Sequence, residues 1–137
     1  MLRQSWDKYF LDIVKMVSTR ATCTRGRVGA IMVDSEHRIL ATGYNGAPRG
    51  EPHCIDVGCN VVDDHCIRVD HAEINMLDQL YYYDTVVYDT TVYIYVPDYP
   101  THMSCKDCRE ALEAYGVREI VSVGDNEDEV IRDHLGY

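Results

Sequence analysis

"DHAEIN", residues 70–75, sets a histidine and a glutamate two apart at the start of an apolar-periodic run, and the fold follows from what that pair meets. The periodicity predicts a helix from about Asp70, which can cap it, to Tyr82. Some thirty residues on, "PTHMSCKDC", residues 100–108, places Cys105 and Cys108 three apart at the start of another predicted helix, which stops at Gly116. Both sulfurs can face one way from that first turn, and the helix dipole favours their thiolate forms. Two helix N-termini thus carry an imidazole, two thiols and a carboxylate.

Three nitrogen and sulfur ligands are the protein's share of a catalytic zinc site, whose fourth position is left for water. His71, Cys105 and Cys108 supply that count. Glu73 is suited to accept a proton from water acidified by the metal and to pass it on. A structural zinc module for protein binding is the competing possibility. It needs a fourth protein ligand and leaves Glu73 without a task.

Outward from these helices, strands and helices alternate. Ser5 can cap an N-terminal helix with Trp6, Phe10, Ile13, Val14 and Val17 at helical spacing. Residues 28–33 and 39–43 read as a hairpin, and residues 44–69 as a long loop rich in Gly, Pro, His and Cys. Strands are expected at 91–96 and 119–123, and a C-terminal helix near 128–135. The pattern predicts an α/β fold, a central sheet covered by helices, in one domain spanning 1–137.

The charge balance narrows the ligand. A net charge of −10 argues against nucleic acid, which needs a basic surface. From Asp84 onward twelve acidic residues face four basic ones, whereas residues 16–69 hold six of each, with Arg20, Arg25, Arg27, Arg49 and Arg68 among them. Such a local cluster suits a small phosphorylated ligand, although scattered solvated arginines would look the same. The N-terminal "MLRQSWDKYFLDIVKMV" carries charges throughout its apolar stretch, so it reads as neither signal peptide nor membrane span, and a cytoplasmic protein is expected. There, six cysteines point to metal ligation or burial rather than to disulfides.

The H-x-E and C-x-x-C pair resembles the zinc-dependent cytidine and deoxycytidylate deaminase superfamily. "TCTRGRVGAIMV", "ATGYNGAPRG", "HCIDVGC" and "DDHCIRVDHAEIN" occur in the order of its deoxycytidylate (dCMP) deaminase branch, and the likeness runs from "SWDKYF" to about Gly116. It implies a three-layer α/β/α fold with a mixed five-stranded sheet, and hydrolysis of dCMP to dUMP and ammonia by zinc-activated water. His71, Cys105 and Cys108 would bind Zn²⁺, with Glu73 as proton shuttle. A related substrate, dCTP or cytidine, is the alternative. The short run after the last strand would suit a compact viral member.

The resemblance also assigns substrate and effector residues. Asn45 falls where relatives contact the sugar; Arg25, His65 and Arg68 fall near phosphate and effector contacts; and Tyr99 could stack on the base. Such enzymes are typically homo-hexamers activated by dCTP with Mg²⁺ and inhibited by dTTP, through the "GYNG" segment, Gly43, Tyr44, Asn45 and Gly46. Cys23, Cys54, Cys59 and Cys66, with His53 and His65 nearby, are either buried thiols or ligands of a second, structural zinc. One departure stands out. The family usually has proline directly before the first cysteine; here Ser104 stands there, after an apparent insertion "THMS", and Ser104 is expected to cap the helix in proline's place.

Overall fold

The computed structural model describes residues 2–63, 65–66, 68–82, 87–98, 103–126 and 129–135, with His65 described by its backbone alone. Tyr99 therefore lies outside the described residues, as do Pro100, Thr101 and His102 of the inserted loop. The elements run α1 (Trp6–Ser18), β1 (Gly29–Val33), β2 (Ile39–Tyr44), α2 (Cys54–Val57), β3 (Val61–Val62), β4 (His65–Cys66), α3 (Ala72–Tyr82), β5 (Thr90–Tyr95), α4 (Lys106–Ala114), β6 (Val117–Val123) and β7 (Val130–His134).

Five strands form one mixed sheet in the order β2-β1-β5-β6-β7. β5 and β6 are parallel, joined through α4, and the other neighbours are antiparallel. Every residue of β1 is buried, because helices cover both faces. The strand pleat sends Ala30 and Met32 to one side with Val92, Ile94, Met76, Leu80 and Leu112. It sends Ile31 and Val33 to the other, against Phe10, Leu11 and Val14 of α1. Three layers result, as expected for the family.

Two glycines set the spacing of those layers. A Cβ on Gly29 would lie 2.5 Å from the Val14 carbonyl oxygen of α1, and one on Gly43 would lie 2.3 Å from the Ala72 carbonyl oxygen of α3. Both helices thus touch sheet backbone directly, and Gly43 fixes where α3 begins.

Three expectations are corrected. The segment near 128–135 is a strand, β7, rather than a helix: β-branched Val130 and Ile131 begin a run that alternates exposed and half-buried along β6. That alternation places Arg132 beside Glu119 and Asp7, and Asp133 within 2.8 Å of Arg109. Trp6 is half exposed rather than part of the buried face of α1, and stacks on His37 with ring centroids 4.1 Å apart. Finally, Cys105 and not Ser104 is the N-cap of α4, its sulfur accepting from the Cys108 N–H at 3.5 Å. Ser104 Oγ is buried without a hydrogen-bond partner.

Candidate metal centre and its cavity

α3 and α4 pack together and start at the same end of the sheet, so the residues at their N-termini meet. His71 immediately precedes α3, and Cys105 and Cys108 occupy the cap and first turn of α4. His71 Nδ1 lies 3.1 Å from Cys108 Sγ and 3.5 Å from Cys105 Sγ, and all three ligand atoms are within 4.8 Å of one another. Tetrahedral zinc with ordinary bond lengths separates nitrogen from sulfur by about 3.5 Å and sulfur from sulfur by about 3.8 Å. The three donors fit that ion.

Glu73, in the first turn of α3, is 4% exposed and lines a cavity of about 600 Å³ beside His71 and Cys105. Burial first, then the charge of Glu73 and the neighbouring Cys105, pushes the Cys108 thiol up from its ordinary range. A dication among the donors reverses that balance, since a coordinating thiol is deprotonated outright.

The family model for the cytidine and deoxycytidylate deaminase zinc-binding region matches residues 4–123, a span that contains all four of these residues. The chain belongs to that family. Deoxycytidylate deaminase of Mycobacterium phage D29 is 33% identical over 133 residues, covering 88% of this chain and 96% of the relative. ComE operon protein 2 of Bacillus subtilis is 35% identical, and the aligned part covers 88% of this chain but 60% of that protein. Deoxycytidylate deaminase of Saccharomyces cerevisiae is 39% identical over 56% of this chain and 26% of its own. The chain thus spans less than two thirds of each of those last two relatives. Among solved structures, dCMP deaminase of cyanophage S-TIM5 in complex with dCMP and dUMP superposes with a TM-score of 0.70 at 26% identity, covering 88% and 82% of the two chains. Cytidine deaminase from Burkholderia pseudomallei, 14% identical with a TM-score of 0.67, shares the fold.

Against this zinc-binding deaminase framework, the other expected residues divide. Arg25 and Asn45 line the cavity, with Val28, Val69, Val96 and Met103 as its apolar wall. Asn45 is 6% exposed and works for the loop before β1: its Nδ2 donates to the Gly26 carbonyl at 2.7 Å and its Oδ1 accepts from the Val28 N–H at 2.8 Å. One proton and one lone pair remain for a ligand. Arg68 is not among the lining residues; it donates from Nε to the Gly58 carbonyl at 3.1 Å. The side chains of His65 and Tyr99 lie outside the described residues.

The "GYNG" segment is held on two sides. Gly43 packs on α3, the Tyr44 carbonyl accepts from Asn75 Nδ2 at 2.9 Å, and Gly46 bridges Asp70. Asn75, which links "GYNG" to "HAEIN", was not singled out from sequence; its place in α3 one turn after His71 was the available signal. Lys106, a second cation on the cavity lining, follows Cys105 directly and was also missed.

Proposed function

We propose that the chain, acting as a single domain, hydrolyses dCMP to dUMP and ammonia. The observation that carries this is the triad of His71, Cys105 and Cys108, with the His71 ring in hydrogen-bond range of both sulfurs and buried Glu73 on the same cavity wall. When bound, zinc supplies the Lewis acidity that brings water's pKa towards neutrality. Glu73 takes one proton of the attacking water and delivers it to N3 of cytosine; it then carries the second proton from the hydroxyl on C4 to the amino group, whose C–N bond breaks to release ammonia as C4 becomes a carbonyl. Its burial keeps bulk water from competing for that proton. The apolar wall accepts the base, Asn45 offers its remaining amide valences to the sugar, and Arg25 offers charge to the 5′-phosphate.

The substrate assignment rests on the names of the phage relative and of the cyanophage structure together with Arg25 and Lys106 on an otherwise acidic chain. Ammonia release from dCMP tests it, run beside dCTP, deoxycytidine and a cytosine-containing oligonucleotide. Preference for deoxycytidine over dCMP would refute the phosphate reading. Regulation by dCTP with Mg²⁺ and by dTTP through Gly43, Tyr44, Asn45 and Gly46, a homo-hexameric assembly and a cytoplasmic setting complete the proposal. Its support is the geometry that ties "GYNG" to α3: an effector that moved Tyr44 would move Asn75 and the helix bearing Glu73. Saturation curves for dCMP unchanged by either nucleotide would remove the regulatory part. Among the described residues no helix is long and apolar enough to cross a membrane.

A further inference from the structure

Three backbone carbonyls from two separate stretches of chain converge on one side chain. Asn75 Nδ2 donates to the Tyr44 carbonyl at 2.9 Å and lies 3.4 Å from the carbonyl oxygens of both Gly46 and Asp70. An amide nitrogen has two protons, so the shortest bond takes one and the two longer contacts share the other. Gly46 and Asp70 are themselves joined in both directions, the Asp70 N–H donating to the Gly46 carbonyl at 2.9 Å and the Gly46 N–H to the Asp70 carbonyl at 3.2 Å. The Asn75 N–H donates to the His71 carbonyl at 3.0 Å and closes the first turn of α3. One residue thus fastens the end of β2, the turn after it and the approach to His71 to a single helix.

What hangs from these anchors is the cavity wall. Asn45 stands between two of the anchored carbonyls, His71 directly follows the third, and Glu73 lies two residues before Asn75 in α3. From its far side Asn45 is held by the Thr22 N–H, which donates to its carbonyl at 3.1 Å, and by the Val28 carbonyl, which accepts from its N–H at 3.2 Å. Those bonds fix Asn45 to the loop that bears Arg25, and Asn75 fixes it to the helix that bears Glu73. A hydrogen bond between neutral groups adds little net stability, because water competes for both partners. Placing one wall of a cavity against another is a task that such a bond can perform at small energetic cost.

We propose that Asn75 is a positioning residue for the reaction, its side-chain amide holding Asn45 in register with Glu73 so that Asn45 meets the substrate's sugar. The proposal rests on the dCMP reading for what Asn45 touches, and on the three carbonyl contacts for what Asn75 holds. Asn75 touches no reacting atom and acts through Asn45.

A double-mutant cycle on the full, zinc-loaded chain tests it. Asn75→Ala should raise KM for dCMP about 3–10-fold, the worth of one neutral hydrogen bond, with kcat within about threefold of wild type and zinc content unchanged. Asn45→Ala should raise KM at least as much, and Asn45→Ala/Asn75→Ala no further than Asn45→Ala alone, since a missing side chain cannot be misplaced. An unmoved KM in Asn75→Ala would overturn the proposal, as would a fall in kcat alone, which is the mark of a smaller folded fraction. A double variant whose KM rises by the product of the two single effects would also overturn it, because Asn75 would then act by another route. Where Asn75→Ala does not fold, Asn75→Ser, whose hydroxyl turns back to the His71 carbonyl, takes its place in the cycle. Wild-type chain without turnover of dCMP would refute the dCMP reading instead, and the cycle then runs on deoxycytidine or dCTP, which carry the same sugar.

Discussion

The two sulfur clusters are built in opposite ways. His71, Cys105 and Cys108 sit at the N-termini of helices whose other residues, Met76, Leu80 and Leu112, are fully buried in the core. Each such side chain contributes about 1.5–3 kcal/mol, so the helices stand before any ion arrives. Cys54, Cys59 and Cys66 sit on a four-residue helix, the turn after it and a two-residue strand, with exposed valines around them. The first cluster is positioned by the fold and borders a cavity. The second lies in the lobe formed by the described residues between β2 and α3, which buries little apolar surface of its own. A reactive metal site needs donors held in advance, because a shift of an ångström costs rate; a structural one can let the ion do the ordering.

The comparison is sharpened most by Glu73→Gln, which keeps the volume and removes the proton acceptor. Turnover of dCMP should fall about 10²–10⁴-fold, the usual worth of a general acid–base, while zinc content stays at the wild-type value. Steady-state kinetics beside metal analysis separates the two. Near-normal turnover would remove Glu73 from the reaction, and lost zinc would make it a structural element of the centre instead.

Next in size is a test of the claim that the core, and not the ion, holds the catalytic cluster. Gly43→Ala drives a Cβ into the Ala72 carbonyl, which is backbone and cannot swing away. The overpacking should cost about 1–3 kcal/mol, a fall in Tm of roughly 4–12 °C. Val61→Ala in the exposed lobe should change stability by no more than about 0.5 kcal/mol. Equal thermal shifts for the two variants would break the contrast.

The same contrast explains what sequence reading could reach. The sheet, α1, α3 and α4 were legible because their apolar residues recur at the periods that burial imposes, and His71, Glu73, Cys105 and Cys108 because the chemistry needs those types at helix starts. β7 was misread because acidic residues before a short apolar run look like a helix start, and only pairing with β6 makes it a strand. The lobe had no period at all. Its order comes from contacts between residues as far apart as Cys23 and Cys59, which no local pattern carries. Asn75 and Lys106 stayed hidden because an amide or a lysine in a helix is ordinarily solvated, and their neighbours are decided by how α3 and α4 meet.

Chelation should therefore act on the two regions unequally. With metal stripped, amides of the described residues between 54 and 66 should lose hydrogen-exchange protection while those of β1 and of the largely buried β5 keep theirs. Uniform loss across the chain would mean that the core also depends on metal, and no loss in 54–66 would mean that the lobe stands unaided.

The smallest effect concerns the thiols of that stripped lobe. The Thr24 hydrogen bond, followed by those from Cys54 and Cys66, lowers the Cys59 thiol to about 7, whereas burial, followed by the same sulfur neighbours, raises Cys54 to about 12. The thiolate is the form that alkylates, and its fraction grows as pH rises through the pKa. In chelated protein Cys59 should be about half thiolate at pH 7 and largely thiolate by pH 9, with Cys54 still protonated, so iodoacetamide should label Cys59 first, by peptide mass. Thr24→Val removes the main cause of the lowering and should move the Cys59 profile to higher pH. Equal labelling of Cys59 and Cys54 across that range would mean that neither Thr24 nor burial separates the two thiols.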